Sequence, residues 1–187
     1  MNKSRMILIS GALALFAAIP ALGQEADQSL VEAGRYLAIA GDCSSCHSDP
    51  KTGNPYSGGF AVASPIGAIY GANITPTKRG KGRAPDGKFL YPAMPYTAFS
   101  GITDTDIKAL YSYFMLGVEP VENQPPKTEL GFPFSIRPVM IGWNMLFGGT
   151  DPAADVPASG PQRGKYLVDT LAHCSTCHTP RGTLMQE

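Results

Sequence analysis

An all-α, loop-rich fold is predicted for this 187-residue chain, with one helical domain followed by the start of a second. Three observations carry that reading. Two segments place apolar residues at helical spacing, Leu30, Ala33, Leu37 and Ala40 in one and Ile107, Leu110, Tyr111 and Phe114 in the other. The chain holds 21 Gly and 17 Pro, which suits short helices joined by long loops better than extended strands. A short pattern near residue 34 returns near residue 164, a period too long for a solenoid unit and suited to tandem domains.

The N-terminus reads as a cleaved export signal. Lys3 and Arg5 give a basic start, Met6 to Ala21 is almost wholly apolar, and Ala21-Leu22-Gly23 offers small residues for a cut before Gln24. The apolar run falls short of the roughly 20 residues a membrane span needs, and Pro20 closes it. Removing residues 1–23 takes Lys3 and Arg5 with it, so the formal charge moves from 0 to about −2. Nothing in such a balance suggests nucleic acid as a partner, because the phosphate backbone demands a concentrated basic surface.

Residues 25–150 are expected to form the first domain. Ser29 and Glu32 read as a capping box opening its first helix. Gly53 to Tyr70, rich in Gly and Ser, reads as packed loop, and Lys78, Arg79, Lys81 and Arg83 as a solvated basic cluster. A second helix is expected from Thr103, with Asp106 three residues on and Gly117 as its stop. Val118 to Pro138 is too Pro-rich for regular helix. A short apolar segment, Val139 to Phe147, contains Trp143 and ends at Gly148-Gly149. Residues 151–161 read as a linker, and 162–187 as an incomplete second domain.

The repeat carries the chemistry. Gly34-Arg35-Tyr36-Leu37 leads to Cys43-Ser44-Ser45-Cys46-His47, and Gly164-Lys165-Tyr166-Leu167 leads to Cys174-Ser175-Thr176-Cys177-His178. In each C-x-x-C-H box the two thiols lie one helical turn apart, suited to forming thioethers with the two vinyl groups of haem. The following His then reaches the iron as its proximal ligand. Cys43, Cys46, Cys174 and Cys177 are therefore assigned to covalent haem, with His47 and His178 on iron and two haem c groups in all. A four-thiolate zinc site built from the two Cys pairs is the alternative, and would leave both histidines unexplained. A thiol–disulfide pair is a further one, but no βαβ context surrounds either box. His173, directly before the second box, reads as a surface or supporting residue.

A sixth ligand for the first iron is expected from Met94. It lies in Tyr91-Pro92-Ala93-Met94-Pro95-Tyr96, a segment stiffened by two prolines, with enough chain after His47 to wrap around a haem. Met115 is the fallback. Met185 follows His178 too closely to reach the opposite face of the same haem, so the second iron has no obvious distal ligand in this chain.

At these motifs the sequence resembles the multihaem cytochrome c subunit of bacterial membrane-bound dehydrogenases that oxidise alcohols, gluconate or sorbitol. The lead at Gly34, Ala63-Ser64-Pro65-Ile66-Gly67, Asn73-Ile74-Thr75-Pro76, Leu90 to Tyr96, Ala109 to Met115 and Trp143-Asn144 carry the likeness. The resemblance implies a c-type cytochrome fold and an electron-transfer subunit that is not itself a catalyst. Its partners would be a catalytic dehydrogenase subunit and, as acceptor, ubiquinone or a terminal oxidase, at the periplasmic side of the inner membrane. The chain departs from the pattern by ending just after its second box, where that family carries a third. It also has only Thr77 to Phe89 where the family has about one helix more. Both departures predict a shortened member, with a non-functional remnant as the alternative.

Overall fold

The computed structural model describes residues 18–64, 67–76, 94–136, 138–148, 156–184 and 186. The expected leader before residue 18, the basic cluster at 78–83, the shortened 77–89 segment and Met185 lie outside them.

Helix α1 spans Ala18–Ala40 and runs through the position expected for the signal cut. Ser29 and Glu32 therefore lie inside the helix instead of opening it, and Glu32 pairs with Arg35 at 2.9 Å. No described helix is long and apolar enough to cross a membrane. After the short helices α2 (Cys43–His47) and α3 (Tyr96–Phe99), helix α4 (Asp104–Ser112) starts as the sequence predicts. The Thr103 hydroxyl accepts from the Asp106 main-chain N–H at 3.2 Å, satisfying a donor that the first turn leaves free. The helix then continues through one π turn, Tyr113–Gly117.

The crossing of α1 on α4 organises the core. Gly34 packs against the Ala109 carbonyl so closely that a Cβ would run into that oxygen. Backbones this near bring small residues to the interface, so the buried face keeps Leu30, Leu37, Ala40, Leu110 and Phe114 of the expected stripes but not the rest. On α1, Gly34, Leu37 and Ala38 are buried while Ala33 is exposed. On α4 the contact with Gly34 is made by Ala109 and, one turn on, Tyr113, leaving Ile107 and Tyr111 exposed. Leu37, Ile102, Ala109 and Leu171 form one buried cluster. Ala38, Tyr56 and Tyr113 form another, with Tyr56 edge-on to Tyr113 and to Phe114 at ring separations of 6.0 and 5.1 Å.

The chain is not purely α-helical. Strands β1 (Ala61–Ser64) and β2 (Gly67–Tyr70) pair antiparallel, and β3 (Glu129–Leu130) adds to β2 opposite Gly67 and Ala68. The Gly- and Ser-rich composition of 53–70 predicts loop, and strands stand there instead. Strands of four residues are too short to show a period of two, and β3 comes from about 60 residues away in the chain. Gly67, at φ +133°, permits the return, and a Cβ there would meet the Glu129 carbonyl.

The remaining elements are short. α3 is Tyr96–Phe99, and α5 spans Val139–Phe147, the segment the sequence marks. α6 (Pro161–Tyr166) opens with Pro in its first turn and runs into a π turn, Leu167–Leu171. α7 is Ser175–His178. The π turn buries Leu171 in the same cluster as Leu37 and Ala109, so residues 161–171 share the core laid down by α1 and α4.

Candidate functional site

Each C-x-x-C-H box folds in the same way. The first is α2 (Cys43–His47), and it follows Asp42 in the left-handed conformation at φ +50°. The second occupies Cys174 and α7, and it follows His173 at φ +41°. In both, the third residue of the box donates its N–H to the carbonyl of that left-handed residue, Ser45 to Asp42 at 3.1 Å and Thr176 to His173 at 2.9 Å. The residue after the His closes the turn, Ser48 onto Ser44 and Thr179 onto Ser175. A left-handed residue lets the long helix stop and a new helix set off in a different direction, with both Cys on one face. His173 thus has a structural job: it turns the chain, and its ring packs on Phe99 at 5.4 Å.

The surroundings of the first box position its histidine. His47 Nδ1 lies 2.7 Å from the Ala72 carbonyl oxygen. A carbonyl only accepts, so Nδ1 carries the proton and Nε2 keeps its lone pair free for a metal. Burial pushes the His47 pKa down, and the Ala72 bond opposes that only in part. The loop that supplies Ala72 is drawn tight against the box: a Cβ on Gly71 would run into the Cys46 carbonyl, and Gly58 N–H donates to the His47 carbonyl at 2.5 Å.

Asn73 and Thr75 hold that loop. Asn73 Nδ2 donates to the Val121 carbonyl at 2.8 Å, and its Oδ1 accepts from the Thr75 hydroxyl at 2.7 Å. From the other side Asn123 Nδ2 donates to the Ser57 carbonyl at 3.0 Å. The Asn-Ile-Thr-Pro motif is in this way a clamp that carries Ala72 to His47. The motif is visible in the sequence but its task is not, since a backbone carbonyl has no sequence signature.

All four cysteines are free thiols. Burial pushes the Cys43 thiol up to about 11, and burial, then Asp42 and Cys177, raise that of Cys46. A disulfide-exchange pair needs a thiol made acidic, and Cys43 is the reverse. Among the described residues no three His, Cys, Asp or Glu side chains gather to hold a metal ion, so the four thiols do not build the alternative zinc site.

Met94 and His178 are less enclosed. Met94 is 41% exposed and lines a cavity of about 340 Å³ with Tyr96, Trp143, Phe147, Ser175 and Arg181. The described lining includes Ser175 of the second box and no residue of the first. The Tyr96 hydroxyl bonds to Asn144, and Trp143 Nε1 donates to the Leu184 carbonyl at 2.7 Å, tying α3 and α5 to the segment after the second box. Met115, the fallback ligand, is exposed on the π turn, and the His178 ring is exposed.

Haem c fits the first box on this chemistry: two free thiols at i and i+3 on one short helix, followed by an imidazole whose Nδ1 is engaged and whose Nε2 is not. The second box offers the same thiol pair and a less supported histidine. Residues 31–116 match the Cytochrome c family. The whole chain is similar to cytochrome c subunits of dehydrogenases, as the motifs imply. It is 42% identical to the gluconate 2-dehydrogenase cytochrome c subunit of Pantoea cypripedii, over all of this chain and 46% of that protein. It is 41% identical to the cytochrome c subunit of a quinone-dependent alcohol dehydrogenase of Gluconacetobacter polyoxogenes, over all of this chain and 44% of that protein. A diheme c-type cytochrome of Cereibacter sphaeroides is 29% identical over 96% of this chain and 68% of its own length. The chain thus spans less than half the length of the first two.

Proposed function

We propose that this chain is a two-haem electron relay of a dehydrogenase complex. It is exported by a cleaved signal peptide to the periplasmic side of the inner membrane and is not itself a catalyst. Electrons come from a catalytic dehydrogenase subunit acting on an alcohol or sugar acid and leave to ubiquinone or a terminal oxidase. The observation that carries the reading is the equivalence of the two boxes, each a left-handed residue followed by Cys-x-x-Cys-His in one turn of helix. The subunit names of the relatives support the complex, and the diheme relative supports two centres.

Cys43 and Cys46 would hold the first haem with His47 and Met94 as axial ligands; Cys174 and Cys177 would hold the second with His178. Haem, when bound, supplies one-electron chemistry through the Fe(III)/Fe(II) couple. The chain's own work is orientation and burial. The Ala72 carbonyl fixes the His47 tautomer, the Asn73–Thr75 clamp holds that carbonyl in place, and Tyr56, Tyr113 and Phe114 close one side of the box with apolar rings. No group is needed as a general base or nucleophile.

The test is the visible spectrum and intact mass of the chain expressed in a periplasm equipped for haem attachment. Two covalent haems are expected, with one lost in a Cys174→Ala, Cys177→Ala double variant. One haem in the unmodified chain would remove the second centre. None would overturn the reading.

A further inference from the structure

The second box is fixed to the first half of the molecule by a buried ion pair outside either box. Arg163 Nη1 and Nη2 reach the two Asp106 carboxylate oxygens at 2.8 and 3.4 Å, and the side chains are 16% and 11% exposed. The Arg163 guanidinium also lies 4.9 Å over the Tyr166 ring. The Tyr166 hydroxyl accepts from the Thr103 main-chain N–H at 3.3 Å, and burial, then the Asp106 carboxylate, push its pKa up. Thr103, Asp106, Arg163 and Tyr166 thus form one closed polar knot between the first turn of α4 and α6.

The repeat shows what is peculiar about this knot. Tyr166 is the counterpart of Tyr36, yet Tyr36 is 56% exposed and Tyr166 is 6% exposed. Arg163 has exposed Ala33 as its counterpart. The second copy therefore carries an interface that the first copy lacks, using one residue outside the repeated motif and a second use for one within it.

From the knot, rigid structure leads to both boxes. On one side α4 crosses α1 at Gly34, and α1 passes through Asp42 into Cys43. On the other, α6 and its π turn carry Leu171 into the core and His173 onto Phe99, directly before Cys174. Apolar contacts such as Leu171 supply buried area without direction, whereas a two-point guanidinium–carboxylate pair fixes orientation. We infer that Asp106 and Arg163 are positioning residues that set the geometry between the two haem attachment points. This rests on the two-haem reading above. Electron transfer between centres weakens steeply with separation, so a second box held in one place gives one transfer rate where a loose one gives a spread.

The experiment uses the full holo chain, with haem count taken from intact mass and the inter-haem distance distribution from pulsed EPR of the oxidised protein. Wild type is expected to give two haems and one narrow distance. Arg163→Met is expected to keep two haems and broaden that distribution, while amide exchange over residues 164–172 quickens roughly tenfold or more, as loss of one partner of a buried pair predicts. Asp106→Asn keeps the main-chain cap of α4 and should act in the same direction; Arg163→Lys keeps the charge and should restore much of the narrow distribution. Faster exchange with an unchanged distance in Arg163→Met would make the pair a stabilising contact only and overturn the inference. Fewer than two haems in wild type would instead overturn the two-haem reading, and the inference with it.

Discussion

His47 shows how much of a ligand's character comes from what stands behind it. The Ala72 carbonyl takes the Nδ1 proton, so the ring presents Nε2 in one tautomer and one orientation, and burial keeps the ring neutral. Met94 has no such support among the described residues; it is half-exposed on a cavity wall, stiffened by Pro95. Its proposed task is correspondingly simple to test. Met94→Ala should lower the reduction potential of the first haem by a sizeable part of the ~0.8 V range that axial ligation spans, and should let added imidazole bind that iron. A redox titration that leaves the potential where it was would remove Met94 from the ligand set and turn attention to its neighbours on the cavity wall.

At the scale of elements, the two copies of the Gly-basic-Tyr-Leu lead make opposite predictions for one substitution. Gly34 sits where α1 touches α4, and a methyl group would collide with the Ala109 carbonyl. Gly34→Ala should therefore destabilise the chain by about 1–3 kcal/mol, read as a lower urea midpoint with an unchanged slope. Gly164 has nothing described within 4 Å of its would-be Cβ, so Gly164→Ala should be neutral or stabilising by up to ~1 kcal/mol through helix propensity alone. Equal losses from both would mean that the two leads pack alike. The lead itself was legible in the sequence, as were both boxes, the Thr103 cap and the limits of α5, because each rests on local chemistry. The packing face of α1 and α4 was legible only in part: Leu30, Leu37, Ala40, Leu110 and Phe114 pack as expected, but apolar periodicity points to bulky residues while the close crossing selects Gly34, Ala38 and Ala109. The β1–β2–β3 sheet was hidden for a related reason: its strands are two to four residues long and its third member is distant in sequence. The Ala72 carbonyl and the Asp106–Arg163 pair were missed because only tertiary structure brings their partners together.

For the molecule as a whole, the tandem repeat suggests two separable units, yet residues 161–171 bury Leu171 among Leu37, Ile102 and Ala109. What joins the halves should then show a pH dependence of its own. Burial, then the Asp106 carboxylate, raises the Tyr166 phenol above its ordinary value, and burial with Tyr113 raises Tyr56 in the first half. A phenol held neutral in the folded chain contributes stability that is complete below its unfolded pKa of ~10 and is lost as pH rises through the higher folded value. The alkaline loosening of residues 161–171 should therefore depend on Tyr166, while that of the Tyr56 cluster should not. Tyr166→Phe is expected to weaken the joint at pH 7 by about 1 kcal/mol through its lost hydrogen bond to Thr103, and to flatten the fall in local stability above pH ~10. Amide exchange followed across that range separates the two halves within one sample. A fall over residues 161–171 as steep in the variant as in wild type would mean that the joint opens with the core around Tyr56, as one cooperative body, and not at the knot formed by Thr103, Asp106, Arg163 and Tyr166.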